Sequence, residues 1–251
     1  MSDPQPTQPV KPLQVILPVY NEGSVLGDLI TRLSDVLSST SHLLIVVDDG
    51  STDEGVNTLP SQDNIMVIRH EKNKGLGEAI KTGLLTALAN TPNGEGVVIV
   101  MDADNTQPPE LIPRMLAEIE SGFDVVIASR FKNEAVVQGV TVFRQLMSHG
   151  ASWLFRLFLP IKNVKDYTCG YRVYRLKLVK EAFETFHGDL VTESGFTCMA
   201  DILLKLHRMG ASMTEVPLIL QYDRKRSVSK MKVIATVLRS LQLIARHSFK
   251  P

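Results

Sequence analysis

The 251-residue chain is 44% hydrophobic and carries 27 basic and 27 acidic residues, enough apolar material for one full core and no net charge to favour nucleic acid. Its two cysteines, Cys169 and Cys198, exclude a disulfide framework, lack metal-ligand spacing, and suit a reducing compartment. No apolar run reaches the roughly 18 residues of a membrane-spanning helix, so any membrane contact is expected to be peripheral.

In chain order, residues 1–12 place Pro4, Pro6, Pro9 and Pro12 among polar residues, which reads as a flexible tail, not a signal peptide. Leu13–Pro18, Leu43–Asp48, Ile65–Arg69, Gly96–Met101 and Val125–Ser129 are short β-branched runs expected to be strands. Between them Ser24–Leu37, Gly77–Ala89 and Glu110–Ser121 carry apolar residues at helical spacing. The alternation predicts an α/β fold with a mainly parallel central sheet flanked by helices. Ligands bind at strand ends in such sheets, and the polar signatures fall there.

Tyr20-Asn21-Glu22 follows the first strand. Tyr20 offers a flat face to a base and Glu22 a hydrogen bond at a nucleoside, although Glu22 also complements a helix N-terminus. After the second strand, Asp48-Asp49-Gly50-Ser51-Thr52-Asp53 contains a turn at Gly50–Thr52; Asp49 is assigned to a ligand and Asp48 to structure. Asn73-Lys74-Gly75-Leu76-Gly77 suits backbone amides approaching an anion at a helix N-terminus, or a plain tight turn.

The fourth strand runs into Asp102-Ala103-Asp104. If strand geometry persists to its edge, both carboxylates point to one side, where a divalent ion bridging a diphosphate would offset their charge. That reads as a nucleotide-sugar site, the alternative being a turn and cap for the helix near Pro108. Asp166–Arg172 reads as a loop against a ligand or a packed turn, and Asp201 as an acid facing either a cleft or solvent. Arg224–Lys230 suits phosphate, or is a solvated charge run. From Arg224 to the C-terminus there are eight Lys or Arg and no acid. Thr141–Pro160 and the segment from Lys232 onward both read as basic amphipathic helices, for a bilayer interface or for protein packing.

Taken together, Pro18–Glu22, Val47–Asp53, Asn73–Gly77 with Ala79 and Gly83, Asp102–Asp104 with Pro108-Pro109-Glu110, Ser129-Arg130, Asp166–Arg172, Gly195-Phe196 and Arg224–Lys230 resemble the family 2 glycosyltransferases, and within them the polyprenyl-phosphate sugar transferases. The resemblance spans residues 13–232 and implies a GT-A-type nucleotide-sugar-binding fold, with residues 13–230 as the catalytic domain and 231–251 as an appended basic amphipathic helix. It further implies that Pro18, Tyr20, Glu22, Val47 and Asp49 hold the donor nucleoside. Asp102, Ala103 and Asp104 would hold Mg2+ or Mn2+ and the diphosphate. Arg130, Arg224 and Lys230 would surround the phosphates and acceptor, with Asp104, Arg130 and Lys230 as the catalytic set. One departure stands out: many relatives carry Gln where this chain has Thr106, and its Gln107 comes one position later, which puts the polar contact made there in question.

The expected reaction is inverting transfer of a hexose, mannose from GDP-mannose, to a polyprenyl phosphate at the cytoplasmic face of a membrane, with a separate membrane-anchoring subunit open. A lipid phosphate is already anionic and needs no general base; a hydroxyl acceptor would need one, for which Asp201 is the candidate. The alternatives are a UDP-sugar-dependent transferase building a polysaccharide or glycolipid, and a non-catalytic sugar-nucleotide-binding subunit.

Overall fold

The computed structural model describes residues 12–224 and 233–248. Strands β1 (Leu13–Val19), β2 (His42–Asp48), β3 (Ile65–Arg69), β4 (Val97–Val100), β5 (Val125–Ser129), β7 (Arg172–Arg175) and β8 (Met213–Pro217) form one sheet in the order β3-β2-β1-β4-β7-β5-β8. All neighbours run parallel except β7, which is antiparallel to both β4 and β5. Every residue of β4 and β5 is buried; their near-continuous Val and Ile are what a sheet covered on both faces requires. Five strands lie where apolar runs predict them, within one residue at most ends.

Helices α1 (Gly23–Val36), α2 (Leu76–Asn90) and α3 (Ile112–Glu120) follow the expected periodic segments. A 3-10 turn, Pro109–Leu111, precedes α3. Later come α4 (Val142–Phe158), α5 (Leu176–Thr185), α6 (Thr197–Arg208) and α7 (Val233–Ser248). A small parallel pair, β6 (Val136–Gln138) with β9 (Ile219–Gln221), sits apart from the main sheet.

From β1 the chain winds outward through β2 to β3, then returns to place β4 on the other side of β1. The carboxyl ends of β1 and β4 therefore flank a topological switch point, the crevice where open α/β sheets bind ligands. Because β7 runs against its neighbours, its beginning lies at that same end and brings the preceding Asp166–Tyr171 loop there.

Both basic amphipathic segments use one face for packing. On α4, Phe155 is fully buried and stacks on Tyr167 with ring centroids 5.0 Å apart, whereas Trp153, Leu157 and Phe158 are more than half exposed. On α7, which packs against α4 and α6, Leu243 and Ile244 are buried while Leu238 and Leu241 remain exposed. Arg239 Nη1 donates to Ser194 Oγ at 2.7 Å and Arg246 pairs with Glu193 at 2.5 Å, tying α7 to the loop before α6. No described helix is long and apolar enough to cross a membrane.

Candidate active site

Pro18 on β1 and Val47 on β2 are register partners, so two of the expected nucleoside contacts lie side by side. Tyr20 and Glu22 follow immediately, with Glu22 at the start of α1 and 8% exposed. Between them, Asn21 adopts the left-handed backbone (φ 53°), a conformation Asn tolerates better than most residues. Its Oδ1 accepts from the Thr52 amide at 2.7 Å, its amide donates to Ser51 Oγ at 3.0 Å, and Asp53 Oδ2 accepts from the Gly23 amide at 2.9 Å. The two strand-end motifs are thus one interlocked unit. Sequence reasoning passed over Asn21; an Asn between a strand and a helix was its signal.

Asp48 is structural: its oxygens accept from the Ser51 amide at 2.8 Å and Arg69 Nε at 2.7 Å. Asp49 is 3% exposed and closes the following loop, accepting from the amides of Lys74 and Gly75, both at 2.8 Å, and facing His70 Nδ1 at 2.8 Å. Those contacts fill about three of a carboxylate's four acceptor positions. The Asn73–Gly77 turn gives two of its amides to Asp49, an anion supplied by the protein itself.

The premise that strand geometry carries Asp102 and Asp104 to one side does not hold. β4 stops at Val100 and residues 103–105 turn, Asn105 taking the left-handed backbone at φ 62°. Both carboxylates are half-buried, while Ala103 between them is 2% exposed. Gln107 makes a reciprocal pair with Asp102, its Oε1 accepting from the Asp102 amide at 2.9 Å and its Nε2 donating to Oδ2 at 2.7 Å. Thr106 donates through its hydroxyl to Asp104 Oδ1 at 2.7 Å. The two residues at the departure from the family pattern each hold one carboxylate of the motif.

Arg130, just past β5, is locked to Asp166 in a bidentate pair of 2.8 and 2.7 Å, and donates to Thr168 Oγ1 at 2.8 Å. Burial opposes both charges, yet the pairing prevails: Asp166 is held below the ordinary carboxylate range and the guanidinium becomes still harder to deprotonate. The Arg130 Nη1 donors take no part in this clasp. Asp102 is among the charges that Arg130 senses, and a Cβ at Gly170 would come within 3.0 Å of Asp102 Oδ1. The Asp166–Arg172 loop therefore lies directly against the Asp-x-Asp turn. Its Arg172 points inward, fully buried, donating to the carbonyls of Met199 and Tyr167.

Asp201 faces neither cleft nor solvent. It is 1% exposed, salt-bridged to Lys205 at 2.7 Å and hydrogen-bonded to Thr192 Oγ1 at 2.8 Å. Although burial raises its pKa, bonds from His247, Lys205 and Thr192 bring it below the usual range; the carboxylate is buried and held by those three partners. Arg224 is exposed beyond β9, whose Gln221 amide donates to the Thr106 carbonyl at 2.9 Å; Lys230 lies outside the described residues.

Among the described residues no cluster of three His, Cys, Asp or Glu could hold a metal. Two hard carboxylates fit Mg2+ or Mn2+ completed by substrate phosphate and water oxygens, the usual arrangement for Mg2+.

Residues 14–183 match the family described as Glycosyl transferase family 2. The chain belongs to that family. This family 2 glycosyltransferase is 34% identical over 224 residues to dolichol-phosphate mannosyltransferase of Pyrococcus furiosus, covering 88% of this chain and 59% of that protein's length. It is 31% identical over 235 residues to polyprenol monophosphomannose synthase of Mycolicibacterium smegmatis, covering 91% and 84%. Its fold matches glucosyl-3-phosphoglycerate synthase from Mycobacterium tuberculosis, solved with Mn2+, uridine diphosphate and phosphoglyceric acid, at a TM-score of 0.67 and 17% identity, covering 96% of this chain and 80% of that one. The glycosyltransferase thus has the GT-A architecture, with one antiparallel strand in its parallel sheet.

Proposed function

We propose that this glycosyltransferase moves a mannosyl group from GDP-mannose to a polyprenyl phosphate, with inversion at the anomeric carbon. The observation that carries the proposal is the Asp102-Ala103-Asp104 turn at the switch point, with the Gly170 loop against it and Arg130 clasped to that loop, in a chain whose relatives are named for mannose transfer to polyprenyl and dolichol phosphates.

Pro18, Tyr20, Glu22, Val47 and Asp49 line the nucleoside end. An oxygen of the lipid phosphate attacks the anomeric carbon, and the bond to the diphosphate breaks with its electron pair leaving on the diphosphate oxygen. The acceptor arrives deprotonated, so no side chain has to take a proton; this accords with an Asp201 already committed to Lys205. Asp102 and Asp104 would hold a divalent ion, which when bound would neutralise charge on the diphosphate. Arg130 Nη1, Arg224 and Lys230 supply further positive charge to the phosphates. Acceptors reach the site from the cytoplasmic face, the protein resting there peripherally through Trp153, Leu157 and Phe158 on α4 and Leu238 and Leu241 on α7, alone or with an anchoring subunit.

The test is a donor-by-acceptor screen of purified protein with Mg2+ or Mn2+, labelled GDP- and UDP-sugars, and short polyprenyl phosphates or hydroxyl-bearing sugar acceptors. The expected product is an acid-labile mannosyl lipid formed from GDP-mannose. Transfer from a UDP-sugar to a hydroxyl acceptor, with none to the lipid phosphate, overturns the proposal.

A further inference from the structure

The Pro108-Pro109-Glu110 motif and the polar face of α1 have no place in the chemistry above, yet they meet at the Asp-x-Asp turn. Asn105 follows Asp104 directly and is 4% exposed. Its left-handed backbone at φ 62° is a conformation that persists when its surroundings hold it. Two side chains one helical turn apart on α1 do so. Arg32 Nη1 donates to Asn105 Oδ1 at 2.5 Å, and Asn105 Nδ2 donates to Asp28 Oδ2 at 2.6 Å. Arg32 is aimed in turn by Glu110, which accepts from Nη2 through both carboxylate oxygens at 3.0 and 2.8 Å. Both ends of the Asn105 amide are thus fixed, and the guanidinium bridges the end of the turn to the 3-10 turn that leads into α3.

We propose that Arg32 and Asp28 are positioning residues for the divalent ion: by clamping Asn105 they hold the turn that presents Asp102 and Asp104, and Glu110 serves the site by orienting Arg32. This rests on the reading of those two aspartates as metal carboxylates. The clamp residues bond to one another and are not among those assigned to donor or acceptor, so their loss should weaken the metal before it weakens the fold. Groups standing behind metal ligands commonly govern affinity by 10- to 100-fold.

Mn2+ alone, titrated into the full chain and followed by water-proton relaxation, reads this directly. Arg32→Ala and Asn105→Gly, the latter keeping the left-handed backbone available, should each weaken Mn2+ binding about tenfold and raise the Mn2+ concentration for half-maximal transfer more than they lower kcat at saturating metal. Arg32→Lys, which keeps the charge without the planar fork, should recover part of the affinity. Melting curves identify folded variants, and if Arg32→Ala fails to fold, Asn105→Gly and Arg32→Lys carry the comparison. Wild-type Mn2+ affinity in the folded clamp variants, with affinity lost in Asp104→Asn, overturns the clamp and leaves the metal reading standing. Wild-type affinity in Asp104→Asn overturns the metal reading and the clamp together.

Discussion

Asp166 grips Arg130 from two sides at once, through the guanidinium at 2.7 and 2.8 Å and through the Arg130 backbone amide at 3.0 Å. One carboxylate therefore fixes both the chain leaving β5 and the direction of its first cation. Asp166→Asn should cost about 3 kcal/mol, because the arginine keeps its charge and loses its counter-ion. Arg130→Met should cost less in stability than in turnover if Nη1 serves the phosphates. Urea melts and steady-state rates on the same preparations separate the two effects.

The pH dependence of that pair has a definite sign. Asp166 has a depressed pKa in the folded protein, so its contribution is full above the ordinary aspartate value and is lost as pH falls through the lower folded value. The stability gap between wild type and Asp166→Asn should be constant from pH 5 to 7 and shrink below about pH 4. Glu215, which accepts the Lys165 and Asp166 amides at 2.6 and 2.7 Å, has the opposite sign, since burial raises its pKa. Glu215→Gln should gain on wild type as pH rises through the elevated Glu215 value. Melts from pH 3 to 8 measure both trends.

Asp104→Asn should reduce transfer about a thousandfold with the melting curve nearly unchanged, and Asp102→Asn somewhat less. The isosteric amide keeps the contact from Thr106 while removing charge. Turnover at the wild-type rate, with normal metal dependence, counts against this assignment.

Gly77 opens α2 against the loop before α6, where an added Cβ would fall 2.3 Å from the Glu193 carbonyl oxygen. Gly77→Ala should cost about 1–3 kcal/mol through displaced backbone. Gly170→Ala meets the rotatable Asp102 carboxylate instead, at 3.0 Å; it should keep the fold and raise the donor KM. Thermal melts and donor titrations distinguish the two.

Replacing Trp153, Leu157 and Phe158 together by Ser should leave stability within about 1 kcal/mol, since all three are more than half exposed. Binding to anionic liposomes in a flotation assay should fall several-fold. Undiminished binding by the folded variant would remove these residues from the membrane contact.

The parallel half of the sheet was legible because β-branched runs such as Val97–Val100 are buried on both faces and carry no competing signal. β7 was not: Arg172 and Arg175 flank only two apolar or aromatic residues, and Arg172 is buried by donating to the nearby Tyr167 carbonyl and to that of Met199, 27 residues away. The Asp-x-Asp motif was legible as chemistry, but its shape was not. A left-handed Asn105 clamped from α1, 73 residues away by the Arg32 bond, leaves no local pattern. Asp201 misled for the same reason, as its helix-mate Lys205 was visible while the Thr192 loop and His247 were not.

The place of β7 in the sheet also bears on how the protein is made. Residues 97–100 emerge from the ribosome with β1 available on one side, but β5 never pairs with β4 directly. The hydrogen-bonding edge of β4 has to wait for residues 172–175. At ordinary elongation rates that interval is roughly 4–15 s, during which an apolar strand edge stands open to any other strand. A nascent-chain chaperone, or a slow stretch of translation placed before residue 97 instead of after it, would protect this enzyme more than it would a sheet whose strands pair in the order of synthesis.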